Sequence, residues 1–387
     1  MRTLFTILAL WLAGLGSAAQ FGKLSFAFDL MADRYPEQGA AGIGLIVSIV
    51  GIVGLIFGTT AGLLVARIGP RRAIVAALAL GAVVSALQTL PLLYAALILT
   101  RVLEGVSHLA IVVVGPTMIA GLSPARHQGL AMTLWSSFFG VTYALLALIA
   151  PSLLAVGSIT YLFLGHAVWM AALALLLYIL LPTDPAAPPL PSLGGLIRQH
   201  GTIYASPTIA APAMGFVFYT ALYVALLTLL PPLLPEGQRA LAAAGMPLLS
   251  IGVSLTLGVW GLNYMTAVRM VQAGYAAGLV ATLALWAGWG EGTVTLLAAF
   301  TLAGAMGIVQ GASFASIPQL NTTPEDRARA SGAVAQLGNL GTTSGTPILA
   351  LLIAGMGPSG VIAFALPLCA AGIAVHAWQA SRRAHQA

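Results

Sequence analysis

The amino-acid sequence predicts an all-α polytopic membrane protein of about twelve transmembrane helices, arranged as two six-helix bundles with both termini cytoplasmic. Three observations lead there. Of 387 residues, 59% are hydrophobic and 6% charged, whereas a soluble domain carries about 25% charged residues and needs them to cover its surface. Breaking the chain at its charges, prolines and turn clusters leaves about twelve apolar segments, each near the roughly 20 residues that cross a bilayer. Lysine and arginine then collect on alternate connections, as short cytoplasmic loops require.

In chain order the predicted spans are 3–32, 40–66, 73–90, 92–121, 129–154 and 158–181, then 203–230, 241–263, 270–289, 292–320, 331–356 and 359–379. The first opens like a cleavable secretory signal, with Arg2, an apolar stretch from Leu4 to Leu15 and the small residues Ser17, Ala18 and Ala19. Its apolar character continues through Leu24 to Met31, however, and cleavage would leave an odd number of helices. The longer spans imply tilt or ends projecting into the interface. With the N-terminus inside, the cytoplasmic side receives Arg2, Arg67, Arg71, Arg72, Arg126, Arg198, Arg269, Arg327, Arg329, Arg382 and Arg383. The outer side receives only Arg34 and Arg239, and Lys23 and Arg101 fall within helices. A miscount of one helix in the first half would scramble this pattern.

Between the sixth and seventh spans lies the linker 182–200, whose five prolines favour extended structure. It separates a first bundle, 1–181, from a second, 201–387. The halves also look related. Ser123-Pro124-Ala125-Arg126 before the fifth span corresponds to Thr323-Pro324-Glu325-Asp326-Arg327 before the eleventh, an offset of 200. A duplicated bundle of this kind is the plan of secondary transporters, with a substrate site between the halves near the midplane. A single cysteine, Cys369, excludes an internal disulfide, a four-cysteine zinc site and a CxxC pair. The net charge of +6 is explained by topology, because no basic run exceeds a pair and no nucleic-acid partner is indicated. The 44 glycines suit closely packed membrane helices.

The loop after the second span reads Gly62-Leu-Leu-Val-Ala-Arg67-Ile-Gly69-Pro-Arg71-Arg72. This spacing resembles the signature of the major facilitator superfamily, Gly-x-x-x-Asp-Arg-x-Gly-Arg-Arg. Two departures stand out: Ala66 occupies the position of the family's acid, and Pro70 displaces the first arginine of the basic run. The resemblance implies a motif that latches the cytoplasmic ends of the two halves. With the acid missing, Glu325 and Asp326 in the equivalent loop of the second half are the candidate partners for Arg67, Arg71 or Arg72. The second-half copy is reduced to Gly261 and Arg269. Arg101-Val-Leu-Glu104-Gly105 on the fourth span is similar to the family's Arg-x-x-Gln-Gly, with glutamate replacing glutamine. Of the antiporter pattern on the fifth span only Ala150-Pro151 remains. The first-half pattern is similar to that of bacterial members near the cyanate and nitroimidazole transporter group. The family places helices 1, 4, 7 and 10 around a central cavity, and the intramembrane charges Lys23, Arg101 and Glu104 lie on two of these.

Ionisable groups inside a bilayer are expensive and mark function. At 1.5 Å per residue, Lys23 and Arg101 lie about 7–9 Å to the outer side of their helix midpoints, with Glu104 about one turn deeper, so all three can share one cavity. Lys23 and Arg101 are candidate substrate-binding cations and Glu104 the proton-exchanging group, with His108 on the same face four residues later. The competing reading is a salt-bridged cluster that merely joins helices 1 and 4, with His108 and His166 hydrogen-bonded inside the bundle. The second half offers neutral groups: Tyr219 and Tyr223 on the seventh span, Gln310 on the tenth, and Gln336 and Asn339 on the eleventh. Each is a candidate substrate contact or a helix-to-helix hydrogen bond.

The expected function is proton-coupled secondary transport of a small organic solute across the bacterial inner membrane by a monomer embedded in lipid. Lys23, Arg101 and Glu104 sum to one positive charge, which leans toward an anionic or carboxylate-bearing substrate. Drug-like export by proton antiport, and a non-transporting sensor on the same fold, are the alternatives. No GxxxxGK loop indicates ATP, and no cofactor or metal site is predicted. An intramembrane enzyme is disfavoured, because Glu104 and His108 have no third ligand or nucleophile at helical spacing.

Overall fold

The computed structural model describes residues 2–124, 127–156, 158–184 and 193–385. Arg126 and the linker residues 185–192 lie outside the described residues. Among the described residues all regular structure is helical. The helices are α1 (Arg2–Ser25), α2 (Phe28–Arg34), α3 (Gly39–Ser48), α4 (Ile52–Phe57), α5 (Ala61–Ile68) and α6 (Pro70–Leu87), then α7 (Tyr94–Leu122), α8 (Gln128–Ser136), α9 (Phe138–Val156) and α10 (Ile159–Leu180). They continue as α11 (Leu193–Ala205), α12 (Ala210–Leu229), α13 (Glu236–Val253), α14 (Val259–Gly261), α15 (Ala267–Ala287), α16 (Gly292–Leu320), α17 (Pro324–Met356) and α18 (Ser359–Ala384). Twelve stretches among the described residues are long and apolar enough to cross a membrane, beginning with Arg2–Ser25 and Pro36–Phe57 and ending with Glu325–Met356 and Ser359–Ala384.

The boundaries depart from expectation where local chemistry overrides hydropathy. The first span does not run unbroken to residue 32; it turns at Phe26 and Ala27 and resumes as α2, with Asp29 in its first turn and Arg34 in its last, both favourable to the helix dipole. The second span is interrupted by turn residues Gly58, Thr59 and Thr60, a glycine and two β-branched residues of low helix propensity. Thr60 Oγ1 donates to the Phe57 carbonyl at 3.1 Å there. The eighth span contains a π-helical turn, Ser254–Gly258. The eleventh begins seven residues earlier than expected, at Pro324: the proline suits the first helical position, and the Thr323 hydroxyl accepts from the Asp326 amide at 3.1 Å. The linker is not extended up to residue 200, since Leu193–Ala205 forms α11.

The chain divides into two compact units, 1–38 with 49–191 and 39–48 with 192–387. The expected partition kept all of 1–181 together, whereas α3 groups with the second unit, where it lies along α17. Ser48 Oγ donates to the Thr343 carbonyl at 2.8 Å, and Gly44 packs against the Pro347 backbone. Also in the second unit, Gly341 and Gly345 of α17 lie against the backbone at Val217 and Ala221 of α12, so close that a methyl group at either would collide.

The first unit is layered along its helices. Near the end that carries Arg2, Arg71 and Leu180, its core is apolar: Leu10 of α1, Ile74 and Leu78 of α6, Ile111 and Val114 of α7, and Met170 and Leu177 of α10 are buried together. The same four helices turn polar at the other end, through Gln20 and Lys23, Ser85 and Gln88, Arg101 and Glu104, and His166, all buried. Because α1 and α6 run opposite to α7 and α10, both layers recur at matching depths.

Candidate functional site

Lys23, Arg101 and Glu104 meet in that polar layer, with exposures of 1%, 0% and 0%. Lys23 Nζ donates to Glu104 Oε1 at 2.5 Å, to Gln88 Oε1 at 2.7 Å and to Ser85 Oγ at 2.9 Å. The other carboxylate oxygen, Oε2, accepts from Arg101 Nη1 and, at 3.0 Å, from Gln88 Nε2. Gln88 thus bridges acid and base, accepting from the ammonium with one end of its amide and donating to the carboxylate with the other. Helical spacing sets this up: Arg101 and Glu104 stand one turn apart on α7, as Ser85 and the C-cap Gln88 do at the end of α6. A carboxylate clasped by two cations loses little of its ion-pairing, but the desolvation of three charges is tolerable only because each has hydrogen-bonding partners.

His166 closes the cluster from α10. Its Nε2 lies 2.9 Å from the Gly16 carbonyl, which can only accept, so Nε2 carries the proton. Nδ1 is left to accept, 3.3 Å from Lys23 Nζ and 3.0 Å from Ser85 Oγ. His108, expected on the Glu104 face, instead directs Nδ1 to Ser17 Oγ at 2.7 Å. It packs edge-on against Phe21, and Gln20 Nε2 donates to Ser107 Oγ at 3.0 Å beside it. The structure therefore brings His166, Ser85 and Gln88 to the charges and ties His108 to α1.

At the opposite end of the unit the Gly62 to Arg72 motif forms a tight corner. Gly69 adopts φ +100°, open to glycine and strained for other residues, and the Asp184 carboxylate fills the space where a side chain would begin. Asp184 accepts from the backbone amides of Arg71 at 2.8 Å and Arg72 at 3.0 Å, and so caps α6. Arg71 Nη2 donates to the Tyr178 carbonyl at 2.7 Å, its guanidinium 4.5 Å from the Tyr178 ring centre. The carboxylate beside Arg71 and Arg72 thus comes from the linker, four residues past the end of α10. Asp326 accepts from Arg329 Nη1 at 3.1 Å, while Glu325, Arg67 and Gly62 are exposed.

In the second unit Tyr219 and Tyr223 do share a face of α12 and stack at 5.2 Å between centres, both buried. Phe216 extends the ladder, 5.1 Å from Tyr219 and 5.3 Å from Phe314 of α16. Gln310 is half-buried on the same helix as Phe314. Gln336 Oε1 accepts from Tyr204 of α11 at 2.7 Å and so joins α17 to α11, whereas Asn339 Nδ2 donates to the Ala335 carbonyl one turn back on α17 itself at 2.7 Å. The seventh span begins at Ala210 and not at 203, so Tyr204 on α11 lies outside it, and burial pushes its phenol up to about 12.

The family model of the Major Facilitator Superfamily matches residues 6–346. The chain belongs to this superfamily. It is thus an integral membrane transporter of small molecules and not an enzyme. No curated protein matches the chain. Among solved structures, this facilitator is similar to a bacterial homologue of the human lysosomal transporter Spinster in its inward-facing and unoccupied conformation. Identity is 14%, the match covers 98% of this chain and 95% of the other, and the TM-score is 0.68. The inward-facing and occupied form of that homologue matches at 13% identity over 97% and 94% of the chains, with a TM-score of 0.67. These likenesses carry the fold. Ser85, Gln88 and Asp184 escaped the sequence reading of this facilitator. A signal for the first two existed, since they are polar residues one turn apart inside an apolar span; Asp184 looked like part of a polar linker.

Proposed function

We propose that this facilitator is a proton-coupled secondary transporter that moves a small anionic, carboxylate-bearing solute across the bacterial inner membrane by alternating access of its two halves. The observation that carries the reading is the Lys23–Glu104–Arg101 cluster, a carboxylate held between two cations with one positive charge in excess. Protonating Glu104 removes the negative charge between the cations and leaves two positive charges in a low-dielectric interior. A substrate carboxylate restores the balance, so proton and anion favour each other's binding and travel together. Gln88 can follow the exchange, because its amide faces both Lys23 and Glu104. The gathering of eleven arginines on alternate connections supports a cytoplasmic location for both termini.

The test is proton movement in reconstituted vesicles with an internal pH dye and a panel of carboxylates, inorganic anions and lipophilic cations, comparing wild type with Glu104→Gln. Anion-dependent proton influx that disappears in Glu104→Gln supports the reading; flux that persists in the variant removes Glu104 from coupling. The aromatic ladder of Phe216, Tyr219, Tyr223 and Phe314 favours a second reading, export of a drug-like compound by antiport. That exporter would keep working in Lys23→Gln, whereas an anion carrier would stop.

A further inference from the structure

Away from the charge cluster, the first unit has a cavity of about 350 Å³, within the range of about 300–1,000 Å³ usual for small-molecule sites. Its lining is wholly apolar and comes from α4, α5, α6 and α7, including Phe57, Leu64, Ile68, Ala76, Leu80 and Val106. Several of these side chains are exposed, Phe57 at 45%, Ile68 at 51% and Val106 at 46%, so the cavity opens sideways on the outer surface of these spans. With no polar group in its wall it has nothing to hold water. Left empty, its lining would forfeit dispersion contacts. In a bilayer, hydrocarbon is the available filler.

The motif corner stands at one end of this cleft. Arg72 precedes Ala76 and Leu80 at intervals of four, so it extends the same stripe of α6 by about 6 Å along the axis. Arg67 follows Leu64 by three residues on α5 and sits beside Ile68, which makes it a neighbour of the lining from the opposite wall. Asp184 is the adjacent acid; only 5% exposed, it accepts from the Arg71 and Arg72 amides and pairs with Arg72 Nε at 3.9 Å, while the Arg72 side chain remains 78% exposed. Local charge is therefore positive by two after counting Arg67, Arg71, Arg72 and Asp184.

We propose that this cleft is a binding site for an anionic phospholipid, one acyl chain lying along α5 and α6 and the phosphate held by Arg72 and Arg67. The arrangement matches an apolar chain with an anionic head at one end, and arginine forks suit phosphate oxygens. The lipid would fill the wall between α5 and α6 just where the motif corner joins them.

The test uses the delipidated full-length protein in detergent, titrated with dioleoyl-phosphatidylglycerol or dioleoyl-phosphatidylcholine and read by native mass spectrometry as bound lipid. Wild type is expected to retain phosphatidylglycerol in preference to phosphatidylcholine. Arg72→Gln is expected to weaken phosphatidylglycerol about fivefold, the effect of one basic side chain near a lipid head. Ala76→Phe, which fills the cleft from an exposed position, is expected to displace it altogether; Val106→Trp at the mouth serves the same end if the first variant folds poorly. Equal retention of both lipids by wild type would overturn the proposal. So would phosphatidylglycerol binding that survives both cleft-filling variants, since a loss confined to Arg72→Gln would reflect charge attraction at the surface without a site.

Discussion

At Glu104 two cations and an amide converge on one carboxylate, so Ala and Gln at this position have different consequences. Glu104→Ala leaves Lys23 and Arg101 buried without a counter-charge. It is expected to lower stability by about 3–5 kcal/mol, the usual cost of breaking a buried pair from one side. Removing Lys23 as well, in Lys23→Met with Glu104→Ala, is expected to recover part of that loss, because no ammonium is then stranded; thermal unfolding in detergent of the two single variants and the double variant measures the coupling. Spacing put Arg101 and Glu104 on one helical face, and the matching depth of Lys23 on its own span made the three charges legible as one group. Their closure by Gln88, Ser85 and His166 was not legible, because helix rotation decides which polar residues of a span face inward. Outside the membrane, Tyr204 offers a pH test. Its phenol ionises near 12 in the folded protein against about 10 in an unfolded chain. The folded state therefore holds more protons between these values, and the stability contributed by this group falls as pH rises from about 10 to 12. Tyr204→Phe is expected to flatten that alkaline decline in a pH series of melting temperatures.

Helix α6 depends on a residue 113 positions away in sequence, because Asp184 caps its first turn. Asp184→Ala is expected to cost about 0.5–2 kcal/mol, as loss of an N-cap does. Gly69→Ala is expected to cost about 1–3 kcal/mol through its positive φ alone. The effects should not add, since a methyl group on residue 69 would push into the Asp184 carboxylate and already weaken the cap. Urea or thermal unfolding of the single and double variants distinguishes these outcomes; strict additivity would mean that Asp184 does not act on this corner. The glycine and the arginines of the motif were readable from spacing. Their partner was not, because nothing in a Pro-Thr-Asp sequence marks which residue turns back onto a distant helix.

For the molecule as a whole, twelve apolar stretches were readable from hydropathy, because the bilayer fixes their length. The breaks inside them were not, because Gly58 to Thr60 and the π-helical turn are choices of backbone geometry within an apolar background. Orientation is open to direct measurement. Cys369 is fully buried and is expected to resist a membrane-impermeant maleimide in the native protein. In a Cys369→Ser background, Ser381→Cys is expected to label in inside-out vesicles and Gly237→Cys in right-side-out vesicles, and the reverse pattern would invert the topology read from the arginines. The grouping of α3 with the second unit also bears on how the gene can be divided. Two polypeptides translated separately and cut at the linker would not be self-sufficient: a fragment holding 192–387 is made without the strand of chain that shields Thr343 and Pro347. Such a fragment is expected to need its companion during membrane insertion, so complementation by split genes should succeed only when both are expressed at the same time.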